Sequence, residues 1–277
     1  MKKTLFTTSA LLLMLHTSAT VFAEDEDFRK RSHHHASDLV TESDIQTEIK
    51  FGRDVAARIL GKYPLSLDSD LTRYVNLVGK SIAQQAGRPE LVFRFAVLEA
   101  DFVNAYSAPG GYVFISKGAI KKMQDESELA AALAHEVAHI TQRHIVKEFK
   151  IKGKDDSSTS GLTKLIGGSQ DAARVAFNQA VDSAMKVLFE RGYKHEDEIN
   201  ADQEAILLLA ASSYDPTALQ RYLERIHKSS KTSSHKTHPP STKRVNAVAT
   251  LLREEGLDKV KYTTAKERFT TSVKGKL

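Results

Sequence analysis

The sequence predicts an α+β fold, mostly helical, with a small three- to four-stranded sheet packed beside the helix that carries the candidate site. Two observations predict it. Apolar residues recur at helical spacing along most of the chain. β-branched and aromatic residues gather in one stretch, from Leu91 to Ser116. Composition sets the scale: 41% of the 277 residues are hydrophobic and 27% charged, close to the averages of globular proteins. About 250 residues would remain after removal of an export leader, enough for one good core.

The elements follow in chain order. Lys2 and Lys3 precede an apolar run from Leu11 to Leu15, and Val21-Phe22-Ala23 precedes an acidic stretch. This predicts a signal peptide over 1–23, cleaved after Ala23. The apolar run is short and interrupted by His16, Thr17 and Ser18, which disfavours a membrane anchor. Residues 24–42 are charged and include His33-His34-His35. They read as a disordered tether, leaving 43–277 as a single domain. Ile45, Ile49, Val55 and Ile59 mark a first helix, broken at Tyr63-Pro64. Leu71, Val75, Val78 and Ile82 mark a second, packed on it as a hairpin. Strands are predicted over Leu91–Leu98, Phe102–Tyr106 and Tyr112–Ser116, with a turn at Pro109-Gly110-Gly111. A long helix is predicted from Glu126 to Phe149, with Asp125 as its cap and Glu128 as the capping-box partner. Residues 151–170 read as a mobile loop. Helices follow over 172–191, 196–211, 216–228 and 243–255, with a polar loop over 229–240.

The chain has no cysteine, which excludes disulfides, a thiolate metal site and lipid attachment behind the leader. No later segment approaches the ~20 apolar residues that cross a bilayer. The net charge is +5. The export leader argues against nucleic acid as the partner of that excess, so it reads as a solvated surface. Leader and cysteine usage together suit a bacterial periplasm.

His135-Glu136-Val137-Ala138-His139 fits the zinc-peptidase pattern His-Glu-x-x-His. Residues four apart share a helix face, so His135 and His139 can reach one ion. Glu136 stands about 100° round the helix and can approach a metal-bound water as general base without ligating. Leu129, Leu133, Val137 and Ile140 form an apolar stripe away from the histidines. Glu198-Ile199-Asn200-Ala201-Asp202 is the best source of a third ligand: Glu198 can ligate, and Asp202 can accept the spare imidazole N–H of His135. The rival reading makes this acidic run a solvated face.

These motifs together resemble the gluzincin peptidases related to the CAAX prenyl endopeptidases, and within them a secreted bacterial branch that handles outer-membrane proteins. The resemblance spans roughly residues 45–255. It rests on Asn104 to Ile115, the helix from Glu128 through Arg143-His144, Glu198 to Asp202, Tyr214-Asp215-Pro216, and Thr237-His238-Pro239-Pro240 with Arg244. Ser213 stands where a glycine is usual before Tyr-Asp-Pro. The resemblance implies a zincin-like metalloprotease domain holding one Zn2+ per chain.

It further implies peptide-bond hydrolysis, with unfolded outer-membrane proteins as substrates. His238 is the candidate oxyanion donor, supported by Arg244. The resemblance also allows His238 to rest on the zinc as a displaceable plug, and the bland alternative is a plain loop histidine. Substrate is expected to pair with an edge strand around Gly111, Tyr112, Val113 and Phe114. The leading function is thus a periplasmic quality-control endopeptidase. Its rivals are a chaperone-like outer-membrane assembly factor with little proteolysis, and a structural metal protein.

Overall fold

The computed structural model describes residues 40–153, 170–229, 237–238 and 241–277. The expected leader, the expected tether with His33–His35 and most of the expected loop over 151–170 lie outside the described residues.

The two predicted N-terminal helices are α1 (Glu42–Lys62) and α2 (Ser69–Ala83). They do not form the expected hairpin: Phe51, Val55 and Ile59 of α1 enter one apolar cluster, and Leu71, Val75 and Ile82 of α2 enter another. Their starts are specified locally. The Thr41 hydroxyl accepts from the Asp44 N–H in a full capping box, and the Asp68 carboxylate accepts from the Leu71 N–H. The sheet comprises β1 (Arg94–Leu98), β2 (Ala105–Ala108) and β3 (Tyr112–Ser116), in the order β1-β3-β2. β3 runs parallel to β1 and antiparallel to β2.

This order corrects one expectation. Tyr112–Ser116 is the central strand, not an edge. Tyr112 pairs with Arg94 and Ala108, Val113 with Phe95 and Ser107, and Phe114 with Ala96 and Tyr106. Gly111 is also committed: its carbonyl accepts from the Arg94 N–H at 2.8 Å. With φ +97° it approaches β1 so closely that a Cβ would stand 2.7 Å from the Val92 carbonyl oxygen. Main-chain pairing of a substrate with Gly111, Tyr112, Val113 or Phe114 is therefore blocked on both sides. The outer edge of β1 is covered as well, by Ser66 and by the Asn76 side chain on Phe95. β2 is the other edge of the sheet.

Both sheet faces are covered, as the two-residue period of strands allows. Phe95, Val97, Val113 and Ile115 enter one apolar cluster; Leu98, Tyr106, Ala108 and Phe114 enter another. The first cluster takes in α2, the long helix α4 (Glu126–Thr141) and the later helices. The second is closed by α1, α5 (His144–Glu148), α6 (Gln170–Lys186) and a π-helical turn, Val187–Arg191. A short helix, α3 (Lys117–Lys121), links β3 to α4.

α4 is buried nearly all round, with Ala132 the least covered of its residues. The expected helix to Phe149 breaks instead at Arg143, which adopts the left-handed conformation, φ 59°. Its guanidinium reaches the fully buried Glu48, shared with Arg88; each contact is 3.1 Å. Asp125 caps α4 as expected, accepting from the Glu128 N–H. The box does not close on Asp125, however. Glu128 accepts from the Gln124 N–H and binds Arg225 through both oxygens, at 2.6 and 2.7 Å.

The remaining helices are α7 (His195–Ala211), α8 (Thr217–Ser229), α9 (Thr242–Glu254) and α10 (Lys266–Val273), with a 3-10 turn over Leu257–Lys259. Ser213, the departure from the glycine usual in the resembling family, has φ 61° and so occupies a position that glycine favours. The sequence gives no periodic sign of α3 or α10, and it predicts 172–191 as one continuous helix without the π turn at its end. α10 is held to the start of α4 by Arg268 on Glu126, whose carboxylate also accepts from the Tyr74 and Tyr214 hydroxyls.

Candidate metal centre

α4 and α7 pack side by side, and small residues on both permit the approach. Ala131, Ala134 and Ala138 on α4 and Ala201 and Ala205 on α7 are all fully buried. Glu198, Asp202 and Glu204 are buried too, which rules out a solvated acidic face at these positions. The approach brings His135, His139, Glu198 and His238 together, each offering a ligand atom within 4.8 Å of the others.

The spacing fits a small tetrahedral cation. Ligands at 2.0–2.1 Å around zinc stand about 3.3–3.4 Å apart. The Nε2 atoms of His135 and His139 are 3.1 Å apart. His139 Nε2 lies 3.4 Å from Glu198 Oε1, and His135 Nε2 lies 3.6 Å from Glu198 Oε2. Two imidazoles and a carboxylate are also the donor types zinc takes. The predicted ligand set is thus geometrically able to hold the ion.

Each donor is held from behind. Asp202 Oδ1 lies 3.0 Å from His135 Nδ1, as expected from the sequence. Arg244 departs from expectation. Its guanidinium grips Asp202 through Nε and Nη2, both at 2.7 Å, and Glu198 through Nη1 at 2.7 Å. It therefore positions the two carboxylates of α7 from α9 instead of supporting His238. Burial alone would raise the pKa of Asp202, but Arg244 outweighs it and holds the group below the ordinary range. For Glu198, burial is likewise outweighed, by His238 and Arg244, and the carboxyl is held well below its usual value.

The sequence singles out no partner for His139. His139 Nδ1 lies 2.7 Å from His144 Nδ1, and His144 Nε2 lies 3.2 Å from the Gln142 amide oxygen. Tyr193 stacks on the other side of His139, with ring centroids 3.9 Å apart. Burial pushes His139 well below the ordinary histidine pKa and lowers His144 to about 4. Both rings are therefore neutral near pH 7, the form a ligating imidazole requires. Helix spacing could not reveal His144, because the turn at Arg143 swings it back. Only its closeness to the motif was a signal. For Tyr193, which follows the π turn, the sequence offers none.

His238 stands inside the donor set, not beside it. Its Nδ1 lies 2.8 Å from Glu198 Oε1 and 3.3 Å from His135 Nε2, and its Nε2 lies 3.6 Å from Glu136 Oε1. Burial disfavours its charged form, but the Glu198 and Glu136 carboxylates outweigh that and raise its pKa to about 9. Asn104 holds the segment in place by donating to the Thr237 hydroxyl at 2.9 Å. The Glu136 carboxylate is buried beside this cluster, and its Oε2 meets no hydrogen-bond partner among the described residues.

Two imidazoles one helical turn apart, a carboxylate from a second helix and a glutamate beside them define a helix-borne metallohydrolase centre on an α+β scaffold. The chain belongs to peptidase family M48, whose sequence model matches residues 69–252. It is 26% identical over 248 residues to the beta-barrel assembly-enhancing protease of Escherichia coli (strain K12), covering 86% of this chain and 50% of that protein. It is 28% identical over 188 residues to the mitochondrial metalloendopeptidase OMA1 of Schizosaccharomyces pombe, covering 66% and 53%. A putative beta-barrel assembly-enhancing protease of Vibrio cholerae matches at 27% over 186 residues, covering 66% and 38%. The chain thus spans about half the length, or less, of these relatives.

Proposed function

We propose that the chain is a zinc-dependent endopeptidase acting on misfolded or unassembled envelope proteins, with Glu136 as its general base. The observation that carries the reading is the buried, unpartnered oxygen of Glu136 beside donors spaced for zinc. His135, His139 and Glu198 would hold the ion. Zinc bound there would lower the pKa of a bound water towards about 7 and polarise the substrate carbonyl. Glu136 takes the proton of the attacking water and passes it to the leaving amine nitrogen. His135 is kept in a ligating tautomer by Asp202, and Glu198 is kept ionised by Arg244. β2 offers the free sheet edge for an extended substrate, since Asn104 and Ala105 border the same cleft as His135 and Glu136.

The leader expected over 1–23 and the relatives named for β-barrel assembly support a periplasmic setting. Among the described residues no helix is long and apolar enough to cross a membrane.

The position of His238 favours a second reading alongside the first. Its Nδ1 lies where a fourth ligand would, so the histidine acts as a displaceable plug and turnover is low until the 237–238 segment moves. A chaperone-like assembly role with little proteolysis is compatible with that arrangement.

One experiment tests both readings. Glu136→Gln should bind zinc as the wild type does and lose casein cleavage by about 10²–10⁴-fold. Equal cleavage by the two proteins would overturn the mechanism. Full rescue by Glu136→Gln of cells lacking the protein would instead favour the assembly role.

A further inference from the structure

Behind the metal centre, the end of α4 meets a buried ion cluster to which the hydrolytic mechanism gives no role. Glu48 of α1 is fully buried. Its Oε2 accepts from the Arg88 and Arg143 guanidiniums, each at 3.1 Å, and its Oε1 accepts from the Gly110 N–H at 3.4 Å. Arg88 also donates through Nη1 to the Ile140 carbonyl, in the last turn of α4, at 3.2 Å.

A hydrogen-bond chain leaves the metal centre on the same side. His139 Nδ1 lies 2.7 Å from His144 Nδ1, His144 Nε2 lies 3.2 Å from Gln142 Oε1, and Gln142 Nε2 donates to the Asn200 carbonyl at 3.0 Å. A carbonyl only accepts, so the Gln142 amide turns its oxygen towards His144. His144 then carries its proton on Nε2 and accepts from His139 through Nδ1. His139 is left with its lone pair on Nε2, the nitrogen that lies among the other donors.

An unbroken helix could not close this chain. Five residues along α4, His144 would stand about 140° round from His139. The left-handed Arg143, φ 59°, brings it back. That conformation is disfavoured for a residue with a Cβ, so it must be held, and the contact of its guanidinium with Glu48 holds it.

We propose that Glu48 is a positioning residue for the metal centre: by fastening Arg143 in the left-handed turn, it sets His144 behind His139. The inference rests on the reading of His139 as a zinc ligand and adds the device that orients it. Glu48, Arg143 and His139 border one cavity of about 190 Å³, counting its open mouth. A direct effect of the Glu48 charge on His139 is therefore the rival route, and a merely structural role is the other.

Zinc affinity of the full chain, measured by chelator competition, separates the three. Glu48→Gln should weaken binding by about 10–100-fold, as loss of the partner behind a ligating histidine does. In a His144→Leu background the same substitution should cost less than about twofold, because the route is already cut. Arg143→Ala should lose at least about tenfold. Arg143→Gly should stay close to the wild type, since glycine takes the turn unaided. Additive losses for Glu48→Gln and His144→Leu would show a direct charge effect, and equal losses for Arg143→Ala and Arg143→Gly would show packing alone. Either result would overturn the proposal. Where Glu48→Gln fails to fold, because it leaves the buried Arg88 guanidinium short of its counter-charge, the two Arg143 variants decide.

If the wild type takes up no zinc, the metal reading fails first. The 15N signals of the His139 ring in the metal-free chain then decide separately. Signals displaced in Arg143→Ala as in His144→Leu, but matching the wild type in Arg143→Gly, uphold the turn as the device. Any other pattern removes it.

Discussion

The two walls of the cleft are built on opposite principles. On the metal side, polar contacts hold the donors from behind: Asp202 behind His135, His144 behind His139, and Arg244 across Glu198 and Asp202. On the α8 side, Leu219, Tyr222, Leu223 and Ile226 offer only shape and apolar surface. Polar contacts are strongly directional and costly to leave unmade once buried, so one missing partner disturbs the whole metal side. Apolar contacts are many and individually weak, so the α8 side can change its dimensions and still stand. The metal side is thereby held rigidly, whereas the α8 side tolerates change.

Substitutions can break this contrast. The largest effect is expected from Arg244→Leu, which strands two buried carboxylates. It should cost about 3–5 kcal/mol of stability in urea unfolding of the metal-free protein. On the apolar side, Leu223→Ala should cost less, about 2–3 kcal/mol, because its site borders open space that solvent can fill. An equal loss in both variants would erase the distinction between the walls.

His144→Leu sharpens the contrast. It removes the acceptor behind His139 and should weaken zinc binding by about 10–100-fold in chelator competition, with little change in the unfolding of the metal-free protein. His144→Asn keeps an acceptor and should recover much of the affinity. A loss confined to metal-free stability would make His144 a packing residue only.

The smallest effect concerns Glu204, buried on α7 with one oxygen lacking a partner among the described residues and a pKa raised by burial to about 7. The folded protein then binds a proton that the unfolded chain releases from about pH 4.5 upward. Stability attributable to this group is therefore full below that pH and declines up to about pH 7. Glu204→Gln should stabilise the protein at pH 8 by on the order of 1–2 kcal/mol and leave it unchanged at pH 4. Equal effects at both pH values would contradict the assignment.

The same contrast explains what could be read from the sequence. His135, His139 and Glu136 were legible because the chemistry demands a fixed helical spacing. Glu198 and Asp202 were legible because two acids one turn apart, flanked by small alanines, are suited to a close helix approach. The contacts of Arg244 were not legible, since nothing local says which acids an arginine from a third helix will grip. The sheet was legible as a set of strands but not in its order. The Pro109-Gly110-Gly111 turn pairs β2 with β3, whereas the insertion of β1 on the far side of β3 is decided by tertiary packing. The apolar cleft was illegible for the same reason: the face of α8 reads as ordinary core until its opposite wall proves to be alanine.

The central claim is that His135, His139 and Glu198 hold one zinc ion, while His238 only rests among them. Zinc stoichiometry, measured by elemental analysis on the wild type, Glu198→Ala and His238→Ala, tests it most directly. One zinc per chain is expected in the wild type and in His238→Ala, with little or none in Glu198→Ala. A Glu198→Ala protein that keeps its zinc, or a His238→Ala protein that loses it, would contradict the account.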